Sequence, residues 1–256
     1  MAIQFNLFAG VAVLAALALS SGAASAQAPL LSATDHAQLA SWLGQGPIAL
    51  NRIFAKTDGA TSRDFHAAAD GKGRTFSVME AYNPAGQRWL VGGYNPQSWS
   101  SRGGFNMTVP DSERTAFIFN LTSSKQYLQL PQLGEGQDFG ASQTLNEADF
   151  GPTFGAGLDL AVPADLTTGG TSAILSYYSP THDGTFTSLL DGEPYQFSPN
   201  VRFGAIEVYT IAAVPEPATV AMLAAGLGVC ALALRRRRGS NDDGDNGSNG
   251  GGIQPA

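Results

Sequence analysis

The sequence predicts a mainly β (α+β) fold: an antiparallel two-sheet β-sandwich with short flanking helices. Three observations carry this. Beyond residue 70, apolar residues recur with period two or in short runs, the pattern of strands buried on one or both faces. Each run is bounded by Gly, Pro, Asn or Asp, and the chain holds 31 Gly and 14 Pro, so turns are frequent. Helical periodicity is confined to two short segments early in the body, leaving helices only a flanking place.

Taken in order, Thr34 to Leu43 reads as a short helix with Leu39, Trp42 and Leu43 on one face and Thr34 or Asp35 as N-cap; Gly44 and Gly46-Pro47 end it. A second helix spans Ser62 to Ala69. There Thr61 is followed three residues later by Asp64, a capping-box-like start, and Gly71 marks the end. Strands are expected at Arg74 to Tyr82, Gln87 to Tyr94, Arg114 to Leu121, Ser172 to Tyr178 and Phe203 to Ile211. Asn83-Pro84-Ala85-Gly86 is the hairpin turn between the first two. In Ile206-Glu207-Val208-Tyr209, period two puts Glu207 and Tyr209 on one face. Glu207 then faces solvent or pairs inside with an arginine such as Arg202. No internal repeat is visible.

Residues 27–213 form this body, long enough for one full core. Within them ten Lys/Arg stand against seventeen Asp/Glu, an acidic balance that argues against nucleic acid as a partner. The single cysteine, Cys230, lies outside the body, which therefore offers neither a disulfide nor a thiolate for zinc or nucleophilic chemistry.

Both ends are apolar. Residues 1–26 read as a signal peptide: an apolar stretch from Phe8 to Leu19 leads to the small-residue site Ala24-Ser25-Ala26, with cleavage between Ala26 and Gln27 by signal peptidase. The leader has no Lys or Arg and relies on its amino terminus for positive charge. At the other end, residues 218–234 carry no charge, and seventeen helical residues reach about 25 Å, near the lower limit for a transmembrane helix. Arg235, Arg236, Arg237 and Arg238 follow and act as a membrane stop, holding the C-terminus inside and the body outside. Residues 239–256 are rich in Gly, Asn and Asp and read as a disordered tail. Asp242, Asp243 and Asp245 lack the distal acidic ligand of a calcium loop.

Val214-Pro215-Glu216-Pro217, the apolar span and the arginine cluster together resemble the PEP-CTERM sorting signal, residues 214–238. The resemblance implies recognition and processing by an integral-membrane exosortase of the Gram-negative envelope. Physically, Pro215 and Pro217 keep the chain extended and stop the membrane helix from propagating outward, so Glu216 sits on a peptide an enzyme can grip. It further implies a chain that is membrane-anchored on the periplasmic side before processing and at the cell surface or outside the cell afterwards.

Within the body, several segments resemble in order the TLDc domain, a two-sheet β fold with short helices. They are Leu50-Asn51-Arg52-Ile53-Phe54, Ser62-Arg63-Asp64-Phe65-His66 and Asp70-Gly71-Lys72-Gly73. Val91-Gly92-Gly93-Tyr94 with Trp99-Ser100-Ser101 and Ala116 to Leu121 come next. Gly151 to Gly155 with Asp159-Leu160, and Ile206 to Tyr209, complete the set. The resemblance spans about 160 residues and departs from the eukaryotic pattern in being exported and free of cysteine.

Candidate chemistry is sparse. No G-x-S-x-G elbow, H-E-x-x-H pair or phosphate-cradling glycine loop occurs, so common hydrolase and nucleotide routes lack support. His66, close to Asp64 and Asp70, can be cast as a general base but reads better as a structural helix residue. Trp99 and Tyr177 are candidate binding aromatics, with Tyr178 and Tyr195 beside them in rank, and His182-Asp183 a candidate binding turn. No catalytic residue, metal ligand or cofactor is assigned. The sequence thus points to an exported, exosortase-sorted protein whose body is a non-catalytic interaction module for an envelope protein or polysaccharide. The alternatives are an enzyme of unknown reaction, hydrolytic or protective against oxidants, and a carbohydrate-binding module.

Overall fold

The structure is a computed structural model and describes residues 28–132, 135–178, 186–195 and 199–214, together with helical residues 222, 225–227 and 229–230. Ten strands and two α-helices make up the described body. β1 (Ile48–Ala55), β10 (Arg202–Ala213), β2 (Thr75–Tyr82), β3 (Arg88–Asn95), β5 (Phe117–Asn120) and β6 (Lys125–Leu128) form one six-stranded sheet in that order. β4 (Arg102–Met107), β7 (Ser142–Glu147), β8 (Thr153–Phe154) and β9 (Leu160–Ala161) form the second. Every pairing of named strands is antiparallel. The expected mainly β, two-sheet architecture is what the chain adopts.

The large sheet is buried on both faces, and strand alternation sorts its side chains between two cores. Met79, Ala81, Val91, Ile118, Ile206 and Val208 point toward the second sheet and meet Trp99, Phe154 and Leu160 there. Phe76, Val78, Tyr94, Phe117, Phe119 and Tyr209 point the other way, where Leu39, Trp42 and Leu43 of helix α1 (Ala33–Leu43) cover them. Leu30 and Leu31 extend that cover as a strap. Gly93 is required on the inner face, because a Cβ there would lie 2.5 Å from the Phe154 ring.

Helix α1 begins earlier than expected, its cap two residues before Thr34 and three before Asp35. Ser32 is the N-cap: its hydroxyl accepts the Asp35 N–H at 3.2 Å while the Asp35 carboxylate accepts the Ser32 N–H at 2.9 Å. Helix α2 (Ser62–Ala69) has the expected bounds, with the Asp64 carboxylate accepting the Thr61 N–H at 2.8 Å. The Asn83 to Gly86 hairpin is also as expected, closed by Gly86 N–H donating to Asn83 O at 2.9 Å, with Gly86 at φ 79°.

Ser172 to Tyr178 is not a strand. The backbone N–H groups of Leu175, Ser176 and Tyr177 all donate to Asp159 Oδ2, at 2.6, 2.8 and 3.1 Å. A segment whose donors are spent on one side chain cannot join a ladder. What remains are isolated bridges, Ile174 to Thr187 and Gln129 to Tyr177.

Candidate functional site: the cleft at the start of the last strand

β10 pairs with β1 on one side and β2 on the other, so it is a central strand. At about 3.3 Å per residue its twelve residues span roughly 36 Å, most of the body. Its two ends differ. The C-terminal end passes out of the body at Val214, whose N–H donates to Pro47 O at 3.1 Å. The N-terminal end carries a bulge between Phe203 and Ile206, where the register with β2 shifts. Bulges re-aim side chains and gather at functional sites.

A cleft of about 720 Å³ opens at this bulge, lined among others by Lys56, Asp58, Glu80, Thr167, Arg202 and Gly204. A second hollow of about 340 Å³ adjoins it through Arg202 and is lined by Tyr82, Asn83, Thr168 and Asn200. Lys56 shapes the floor. Its ammonium donates to Leu166 O and Thr167 Oγ1, both at 2.8 Å, and lies 3.0 Å from Gly204 O and 3.3 Å from Phe203 O. It therefore staples the end of β1 to the bulge and to the loop before it. Burial lowers the Lys56 pKa from its ordinary value, with Asp165 opposing the shift.

Arg202 is held differently: its guanidinium sits 4.9 Å above the centre of the Tyr82 ring. Among the described residues it makes no salt bridge. Asp58, on an exposed turn across the cleft, makes none either. Glu80 is committed to Arg88 at 2.7 Å. Among the described residues no three His, Cys, Asp or Glu side chains gather as a metal set.

The residues singled out in the sequence lie elsewhere. Trp99 is 1% exposed, edge-on to Phe65 and Phe154, with its indole N–H donating to Thr75 Oγ1 at 2.9 Å. Tyr177 is fully buried, and its hydroxyl donates to Gln143 O at 2.7 Å. Neither ring presents a face to a ligand, which corrects the expectation that they form a binding surface. Of the paired aromatics, Tyr178 is the exposed one, at 54%. His66 is buried, with Nδ1 2.7 Å from Asp70 Oδ1 and Nε2 3.0 Å from both Glu147 O and Phe150 O. With acceptors on both sides, the ring ties α2 to the loop after β7. Glu207 shares its face with Tyr209, as expected, but its buried carboxylate pairs with Arg52 on the neighbouring strand, and Arg202 stays outside. Tyr209 and the Leu30 N–H also donate to it, the latter at 2.8 Å. Burial first, then the Glu207 carboxylate, pushes the Tyr209 phenol up.

His182, Asp183, Ala26, Gln27, Pro215, Glu216, Pro217 and Arg235 to Arg238 all lie outside the described residues. So does most of the expected span 218–234, and among the described residues no helix is long and apolar enough to cross a membrane. The cleft escaped sequence reading because its residues come from four separate stretches. The one local cue was the Gly204-Ala205 pair interrupting a strand pattern, the usual mark of a bulge.

A β-sandwich body whose last strand is followed directly in sequence by Val214-Pro215-Glu216-Pro217 has the form of an exported protein with a C-terminal address. The family model for the PEP-CTERM protein-sorting motif matches residues 213–238. That motif marks the chain as an exosortase-sorted, exported protein. No curated protein matches the chain.

Proposed function

We propose that this chain is a surface or extracellular-matrix protein whose TLDc-like body acts as a non-catalytic interaction module. The observation that carries the reading is continuity: β10 ends at Ala213, and the sorting motif begins there. The body is thus attached through the end of its central strand, and the cleft lies at the other end.

Several features support the finer parts of this reading. The segments that resemble TLDc fall on successive elements of one sandwich, from β1 and α2 through β3 and β5 to β10. His66, the best candidate base, is buried and tied on both ring nitrogens. The uncommitted charges at the cleft, Asp58 and Arg202, suit binding better than proton transfer, since neither is coupled to a base or an orienting partner.

The test is deletion of Pro215 to Arg238, followed by fractionation of cells and medium. The truncated chain is expected to be released or mislocalised, whereas the intact chain reaches the surface. Unchanged membrane retention and surface display of the truncated chain would overturn the sorting reading.

A further inference from the structure

We infer that the cleft at the β10 bulge binds a neutral oligosaccharide, with Arg202 and Asp58 as its principal hydrogen-bonding groups. This names a ligand class for the interaction module proposed above and rests on that reading.

The charged groups at the cleft differ in how far they are already engaged. Lys56 spends its ammonium on four protein oxygens, and Glu80 is held by Arg88. Arg202 and Asp58 line the same cleft with opposite charge, yet no salt bridge joins them or engages either among the described residues. A donor fork and an acceptor pair are therefore held apart across one opening. Arg202 also rests against Tyr82, its guanidinium carbon 4.9 Å from the ring centre, a contact that steadies the side chain without using its N–H donors.

The lining selects against charged and apolar ligands alike. An anion approaching Arg202 meets Asp58 and Glu80, and it must also approach a body of net negative charge. A cation meets Lys56 and Arg202. An apolar ligand would desolvate these groups without replacing their hydrogen bonds. Hydroxyl groups both donate and accept, so a chain of them can satisfy Arg202 and Asp58 together without bringing net charge. Thr167, Asn83 and Asn200 also line the two connected hollows, but their side chains are spent on Lys56 and Asp165, on Gln87 and on Ser172, which leaves Arg202 and Asp58 as the groups open to a ligand. The larger volume falls within the ~300–1,000 Å³ of ordinary small-molecule sites, enough for a short run of sugar rings.

The experiment uses the full chain in detergent on a printed glycan array carrying neutral glucans, galactans and mannans beside uronate-containing chains. Capture of neutral glycans is expected, weakened about tenfold or more in both Arg202→Ala and Asp58→Ala, the loss that follows from removing one charged hydrogen bond. Both sites are exposed, so the variants should melt with the parent, and Trp99→Phe should bind as the parent does. Capture of uronate chains only, neutral capture unchanged in both variants, or no glycan capture would each overturn the proposal. Mass analysis of the captured glycans separates this from the wider reading. Shortened chains would overturn the non-catalytic module while leaving the ligand class standing. An array without signal, beside a tail deletion that still mislocalises the protein, would overturn the ligand class alone.

Discussion

Glu207 and Asp159 are both carboxyl groups sealed from solvent, and the fold treats them in opposite ways. Glu207 lies beneath the N-terminal strap and meets a cation, Arg52, as well as the Tyr209 hydroxyl and the Leu30 N–H. It joins three pieces of chain far apart in sequence. Asp159 meets only dipoles: three N–H groups reach Oδ2, and Oδ1 has no partner. Gly155 is needed beside it, since at φ 79° a Cβ would sit 1.9 Å from Oδ1. Burial pushes the Asp159 carboxyl up to about 7, against the pull of its three donors. A buried carboxylate given a counter-charge thus becomes a tie between elements. One given only backbone N–H groups organises a loop and remains open to titration.

The comparison breaks most severely at Arg52. Arg52→Ala strands the Glu207 carboxylate under the strap and should cost about 3 kcal/mol, read as a lowered urea midpoint. Pairing it with Glu207→Leu should recover much of the loss; a double variant no better than the single would show that Arg52 acts through packing alone. Asp159 sets the next effect. Because its folded pKa is raised, the stability it contributes is complete below about pH 4 and is lost as pH rises through about 7. The parent should therefore lose up to ~1.4 kcal/mol per pH unit across that window relative to Asp159→Asn. Parallel pH profiles for the two proteins would remove Asp159 as the source. A smaller effect lies at the strap itself, where Ser32→Ala removes the α1 cap and should cost about 1 kcal/mol, seen as a lower Tm. Smallest of all, Arg202→Ala should change stability by no more than about 0.5 kcal/mol, since an exposed cation–π contact is all it loses. Glycan capture and melting should thus separate at this residue.

How far such features could be read from the sequence depended on where the local pattern and the packing agree. α2, β2, β3, the hairpin between them and most of β10 combine clear periodicity with turn or cap residues, and each lies close to its expected bounds. β7 was invisible because Ser142-Gln143-Thr144-Leu145-Asn146-Glu147 is mostly polar, yet all but its last residue are buried. Its side chains are satisfied by one another's neighbours: Gln143 donates to Asn95 at 2.7 Å and Asn106 to Thr144 at 2.9 Å. A hydrogen-bonded interior leaves no hydrophobic period to detect. The reverse error occurred at Ser172 to Tyr178, whose strand-like composition gave no hint that a distant aspartate claims its backbone donors. Trp99 shows the same limit for the site. A tryptophan flanked by serines looks like a surface platform until Phe65 of α2 and Phe154 of β8 close over it.

β10 has one more consequence, a mechanical one. Any load applied through the tail enters at Ala213 and is directed along a strand bonded on both sides, to β1 and to β2. The ladder bonds lie across that direction and are strained together in shear, instead of being peeled open one after another as they would be at a sheet edge. A ligand gripped at the bulge would pull against the opposite end of the same strand, so tension between cell and captured material would pass through the best-supported segment of the body.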